Sequence, residues 1–331
     1  MRRAQKKTWP DLKAAWTEFD TRDQVVDFIT RLEERTEIPL TRLLGWMEMG
    51  RSKFHDWRER YGKVNEHNGK VPRDWWLEDW EKRAIWDFFI QHSSDGYRRL
   101  TYMMMDADVV ACAPSTVYRA LSEKGFLLKS TAKPSKKGTG FVQPTRAHQE
   151  WHIDVTYLNI SGTFYYLCSV LDGFSRFIVH WEIREAMKEP DVELIVQRAL
   201  EKFPGMKPKL ISDNGPQFIA KDFKEFIRLS GMTHVRTSPY YPQSNGKQER
   251  MQGTVKRECI REKNPATVEE ARKIVGTYVG HYNTERLHSA IGYVTPLDKL
   301  EGRAEAIQSA REIKLARARE QRKANRSGRA A

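Results

Sequence analysis

Residues 151–172 read WHIDVTYLNISGTFYYLCSVLD. Two runs rich in β-branched and aromatic residues, 151–158 and 164–172, predict two strands, the second ending at an Asp-Gly turn signal. A third strand is expected over 176–183, so three short-linked strands make an antiparallel meander. Side chains alternate across a strand, which puts His152, Asp154 and Thr156 on one face of the first strand and Ile153 and Val155 on the other.

Outward from this meander the pattern turns helical. Pro190 opens a segment in which Val192, Ile195, Val196, Ala199, Leu200 and Phe203 keep a helical period, and Pro204-Gly205 ends it. A short strand at Leu210-Ile211 runs into Asp213. A helix over 220–230, a strand over 234–237 and a helix over 248–261 follow. Thr267 and Glu270 then form a capping box ahead of a helix through Tyr282. The order βββαβαβ, followed by helices, predicts an α/β domain: a mixed five-stranded sheet flanked by helices, over 147–300.

The other segments differ in composition. Residues 1–125 are rich in helix formers and hold eight of the ten tryptophans. They predict two all-α, helix-turn-helix-like modules, over 1–70 and 71–128. In the first, Val25, Val26, Phe28, Ile29 and Leu32 give one apolar face, and a helix over 52–61 is expected to expose Lys53, Arg58 and Arg60. In the second, helices over 80–90 and 98–105 lead to Ser115, read as the N-cap of a helix over 116–124 that Gly125 stops. Thr116 and Arg119, near the start of that helix, suit major-groove contact. Residues 129–146 (KSTAKPSKKGTGFVQPTR) have linker composition, with lysines and no acid. The tail over 301–331 is basic and is read either as a solvated helix or disordered end, or as a specific contact that tracks phosphates; in each case its charge adds non-specific, salt-sensitive affinity for DNA.

The whole chain of 331 residues carries a formal charge of +13, a field that favours polyanions, nucleic acid first. Its apolar runs are too short to span a bilayer and no apolar stretch follows the basic Met1-Arg2-Arg3, so neither membrane span nor signal peptide is expected. Three scattered cysteines are too few for a disulfide framework or zinc site, and they fit a cytoplasmic protein.

The chemistry rests on three acids: Asp154 in the first strand, Asp213 ending the fourth, and Glu249 beginning a helix. Open α/β sheets build sites at carboxyl ends of strands. Three converging carboxylates repel one another unless cations intervene, which implies two Mg²⁺ or Mn²⁺ ions and in-line phosphoryl transfer. Gln252, Gly253 and Lys256 share the helical face of Glu249, placing Lys256 to meet a phosphate. Asp172 is set aside as a turn residue. His152 has two readings, a packed histidine or a site residue.

The motifs WHIDVTYL around Asp154, ISDNGPQF around Asp213 and SPYYPQSNGKQER before Glu249 resemble the catalytic domain of DDE transposases and retroviral-type integrases. Thirty-five residues separate Asp213 from Glu249, the spacing characteristic of that superfamily. HYNTERLHSAIGYVTPLDKL resembles the closing signature of bacterial insertion-sequence transposases of the integrase-like group, with Leu287 in place of the usual proline. Residues 95–126 resemble the helix-turn-helix segment that precedes the catalytic domain there. The resemblance implies a ribonuclease H-like fold, a metal triad of Asp154, Asp213 and Glu249, and DNA contacts from Asn214, Asn245, Lys256, Arg286 and His288. It further implies hydrolytic nicking at element ends and attack by the freed 3′-OH on a second phosphodiester. It implies a homo-multimer, at least a dimer, bridging two ends, and leaves open a fusion to an upstream DNA-binding segment. Two other readings stay open: a ribonuclease H-like nuclease without joining activity, and a domesticated DNA-binding protein without catalysis.

Overall fold

A computed structural model describes residues 12, 17–63, 76–127, 143–237 and 245–327. Most of the expected linker, and the segment 238–244 ahead of Glu249, lie outside the described residues. The chain separates into two compact units, residues 1–73 and 74–331.

The first unit holds α1 (Phe19–Arg35), α2 (Leu40–Trp46) and α3 (Arg51–Glu59). Val25, Val26, Ile29, Leu43, Leu44, Phe54 and Trp57 form its core; Phe28 is the exception to the expected apolar face, being exposed. Lys53 is not the free cation expected. Its Nζ donates to the Leu12 carbonyl at 2.7 Å and lies over the Trp57 ring, because its stem runs along the buried face of α3. Arg58 is exposed, and Arg60 pairs with Asp56.

In the second unit, α4 (Asp79–Gln91), α5 (Tyr97–Asp106) and α6 (Pro114–Glu123) pack around Ile85, Leu100, Met104, Val117, Ala120 and Leu121. The N-cap of α6 is Ala113, with Pro114 at the first helical position, so Ser115 lies inside the helix instead of capping it. Thr116 shares the buried face of α6 with Val117, Ala120 and Leu121, while Tyr118 and Arg119 face outward. Gly125, at φ +71°, stops the helix in the left-handed region as expected.

The tail is one helix, Ala304–Ser327, and it is docked instead of solvated. Arg322 forms a buried ion pair with Glu81 at 2.7 Å and donates to the Ala111 carbonyl. Arg311 holds Asp106 with two bonds of 2.5 and 2.8 Å. Removing one partner of such a buried pair strands a charge, at a cost of about 3–5 kcal/mol.

The sheet comprises β1 (Glu150–Ile160), β2 (Thr163–Asp172), β3 (Ile178–Arg184), β4 (Lys209–Ser212) and β5 (Thr233–Arg236), in the order β3-β2-β1-β4-β5. The meander is antiparallel, and β4 and β5 run parallel to β1. Parallel pairing requires crossovers, supplied by α7 (Glu189–Lys202) and by α9 (Lys221–Leu229), the latter after a single-turn α8 (Pro216–Ile219). Both longer crossover helices bury Val192, Ile195, Val196, Phe223 and Ile227 against Trp151, Ile153, Cys168 and Val170. The opposite face, carrying Leu158, Leu167, Leu171 and Ile183, is covered by α10 (Gly246–Val255) and α11 (Val268–Thr284). Asp154 has the parity of this second face. The fold is therefore the expected ribonuclease H-like mixed sheet with helices on both sides. Among the described residues no helix is long and apolar enough to cross a membrane.

β3 begins at Ile178, two residues later than expected. Arg176 takes φ +66°, and Asp172 ties the turn by accepting from the Ser175 backbone and hydroxyl at 2.7 and 2.6 Å. Asp172 is the turn residue it was read to be.

Candidate active site

Strand register sets the geometry. In the parallel pair β1–β4, His152 lies opposite Ile211. Asp154 and Asp213 each lie two residues beyond that pair, so they stand at one level on adjacent strands, about 4.8 Å apart between strand axes. On the other side of β1, Asp154 faces Ser169 of β2. Gln248, fully buried, donates from Nε2 to the Ser169 carbonyl and hydroxyl at 2.7 and 2.6 Å, fixing the first turn of α10 at this level. Glu249 is the next residue and is exposed.

The electrostatics agree. Burial, followed by the charge of Asp213 and a smaller contribution from Glu249, pushes the Asp154 carboxyl up to about 7. Asp213 is half-buried and its Oδ1 accepts from the Gly215 amide at 2.9 Å, an Asx turn that closes β4. Among the described residues no three His, Cys, Asp or Glu side chains are drawn together tightly enough to enclose an ion by themselves. The acids instead stand within reach of one another's charge, with Asp154 in the middle. Oxygen donors only, under a repulsion that a cation relieves, suit a hard divalent ion.

Lys256 begins a π-helical turn, Lys256–Ile260, that continues α10; such turns often mark functional positions. Its Nζ donates to Thr156 Oγ1 at 2.5 Å, and Asp154 is the anion it feels most. Lys256 thus sits beside the acids, as its spacing from Glu249 implied. Gln252 is buried on the same face, and its Nε2 has no hydrogen-bond partner.

Around the acids, the other expected DNA contacts are buried or already hydrogen-bonded within the chain. Asn214 donates from Nδ2 to the Thr237 carbonyl at 2.7 Å, pinning the end of β4 to that of β5. Asn245 is buried at the N-cap of α10. Arg286, expected to meet DNA, is buried and holds Glu258 with two bonds of 2.7 and 2.8 Å. Tyr278 also donates to Glu258, and these partners hold its carboxyl down at about 2. His288 accepts from the Ala290 amide and bridges to Val294, while burial pushes its imidazole down to about 4. The closing signature is thus largely architectural: its Asn283 accepts from the Ile178 amide and donates to the Ile178 carbonyl, completing the start of β3. Leu287, which stands in the place of the proline of the resembled signature, is buried.

Sequence reading missed two residues. Gln248 was taken only as a helix start, although its place one residue before Glu249, on the sheet side, marks it as the anchor. Glu258 gave no signal, because its partner lies 28 residues away.

Residues 144–242 match one integrase core domain family, and residues 230–296 match a second of the same description. Over 276 residues the chain is 27% identical to transposase InsD for insertion element IS2A/D/F/H/I/K of Escherichia coli, covering 80% of this chain and 86% of the relative. The chain is thus similar to an insertion-element transposase over four-fifths of its length, and its sheet domain matches integrase core domains. Among solved structures, the HTLV-2 integrase catalytic core domain in complex with magnesium is 19% identical over 47% of this chain and 97% of that one, with a TM-score of 0.39. The catalytic core of BIV integrase is 24% identical over 48% and 98%, with a TM-score of 0.38.

Proposed function

We propose that this chain cuts the ends of a mobile DNA element and joins the freed 3′-OH ends to target DNA, using Asp154, Asp213 and Glu249 to hold two Mg²⁺ or Mn²⁺ ions. The observation that carries the reading is the shared level of Asp154 and Asp213 on adjacent strands, with Glu249 set beside them by the Gln248–Ser169 anchor. When bound, the ions would supply charge neutralisation for both the attacking and the leaving oxygen of an in-line displacement.

The chain's own residues do the rest. Asp154, whose carboxyl is raised to about 7 by its surroundings, would hold a cation as the carboxylate. Lys256, steadied by Thr156, offers a positive charge to a phosphate next to the scissile one. Water and then a DNA 3′-OH act as nucleophiles, so no side chain becomes covalently joined to DNA. Positioning and electrostatics supply most of the rate. Arg119 and Arg58, exposed on α6 and α3, are offered as groove or backbone contacts of the two helical modules. The working form is taken as a homo-multimer, at least a dimer, that brings two ends together in the bacterial cytoplasm, alone or fused to an upstream DNA-binding segment.

A nuclease that does not join would use the same acids. The similarity to a transposase over four-fifths of the chain favours joining, and a silent binding protein gives no reason for three mutually repelling acids. The test is a Mg²⁺-dependent assay on labelled terminal inverted repeats of the element. Cleaved ends should appear together with joined products. Cleavage alone would leave the nuclease reading standing.

A further inference from the structure

Lys256 marks one side of the acids; the other side carries a second group of cations. Arg176 follows the β2 turn and donates from Nη1 to the Gly173 carbonyl at 2.6 Å. Lys247 lies in the first turn of α10, half-buried; it feels the charge of Arg176, opposed by those of Glu150 and Asp172, while Arg176 feels Asp172 and, in the opposite sense, Arg250. None of the three is in an ion pair among the described residues. The floor beneath them is His152, only 1% exposed, on the same face of β1 as Asp154. Both its ring nitrogens lack a hydrogen-bond partner, as does Oδ1 of the adjacent Asn245. The approach is close: a Cβ on Gly173 would come within 3.0 Å of His152 Nε2.

The nearest acids, Asp172 and Glu150, are already engaged by His148 and Ser175 and by Lys209, and half-buried cations without an ion pair of their own are costly unless an anion joins them. The dipole of the α10 N-terminus points the same way. We propose that Arg176 and Lys247 form a seat for one backbone phosphate of the DNA, separate from the metal acids and from Lys256. Along β1, Lys256 reaches the level of residue 156 while this seat lies at the level of residue 152. That is a separation of about 13 Å, with Asp154 between. The two cationic points therefore bracket the scissile position and set the path of the strand across it.

This inference rests on the reading of the chain as a DNA-processing protein, so its test does not depend on catalysis. The full chain would be titrated with a fluorescent duplex of arbitrary sequence across a range of salt, comparing wild type with Lys247→Gln, Arg176→Gln and the double variant. Losing one phosphate contact should reduce the slope of log affinity against log salt by about 0.9. Because both residues serve one phosphate, the double variant should lose little more slope than either single one. Unchanged slopes in variants that melt like wild type would overturn the seat. So would an unchanged slope with lost self-association, since the counter-charge would then be a carboxylate of a second copy. If Arg176→Gln fails to fold, Lys247→Gln alone decides. Should wild type prove unable to cleave DNA, the functional reading falls, while a slope change at Lys247 still supports the phosphate seat.

Discussion

Two carboxylates on the same side of the sheet have opposite fates. Asp154 sits between strands, buried, facing two other acids, and its carboxyl is raised to about 7. Glu258, on the π-helical turn, is embraced by Arg286 and Tyr278 and held at about 2. One region stores repulsion and the other discharges it. A carboxylate that only stabilises a fold is given a partner; an unpaired acid at the centre of a sheet needs another justification. The justification proposed here is a cation not supplied by the chain.

Of changes in these two regions, breaking the Glu258–Arg286 pair should have the largest effect on stability. Arg286→Ala leaves Glu258 beside a hydrophobic cluster without its main partner and should cost about 3 kcal/mol in urea unfolding. Loss of less than ~1 kcal/mol would mean that the pair is screened like a surface bridge.

The opposite sign is expected at the acids. Asp154→Asn removes a charge that burial and repulsion disfavour, so the metal-free protein should gain on the order of 1–3 kcal/mol at pH 8. The sign follows from the raised carboxyl. Below about pH 4 it is protonated in both folded and unfolded chains and costs nothing; the cost grows as pH rises through 7. The advantage of Asn should therefore grow between pH 4 and 7, and a pH-independent gain would contradict the electrostatic cause. In the same melts, added Mg²⁺ should raise the Tm of wild type and leave Asp154→Asn unmoved.

Acid should act through the paired region. With its carboxyl depressed, Glu258 contributes fully above about pH 4.5 and loses that contribution as pH falls toward 2. Its side chain is partly exposed, which limits the term to roughly 1–2 kcal/mol. Glu258→Gln should flatten this limb of the stability profile between pH 5 and 3, leaving the neutral limb governed by Asp154. The smallest stability change belongs to Arg119, exposed on α6 with only a 3.4 Å contact to Thr116. Arg119→Ala should melt within about 0.5 kcal/mol of wild type and still reduce DNA affinity; full affinity would remove α6 from the DNA interface.

The sheet and its order were legible in the sequence because period-two strands, the Asp172-Gly173 turn and the Pro190 and Pro204-Gly205 helix limits are local signals. Asp154 and Asp213 were legible through motif and spacing, and the register then put them at one level. What escaped is long-range. Arg286 and His288 stand in a recognisable signature, but only the packing of α11 against the π-turn shows that their side chains are spent on Glu258 and on a turn. Lys53 and Thr116 were misplaced because the buried face of a short helix is set by what packs on it: Leu12 and Trp57 take up Lys53, and Thr116 lies on the buried side of its helix with Val117, Ala120 and Leu121. The docked tail could not be read from its alternation of Arg, Ala and Glu, because Glu81 and Asp106 lie some 200 residues upstream.

The most direct test combines the acids and the metal. Wild type and Asp154→Asn, Asp213→Asn and Glu249→Gln would be assayed on labelled element ends, with Mg²⁺ varied from zero. Wild type should cleave and join only with the ion present, and each variant should fall by at least about 10³-fold while still folding and binding the ends. Full cleavage by any one of the three variants, or by wild type without divalent metal, would contradict the account.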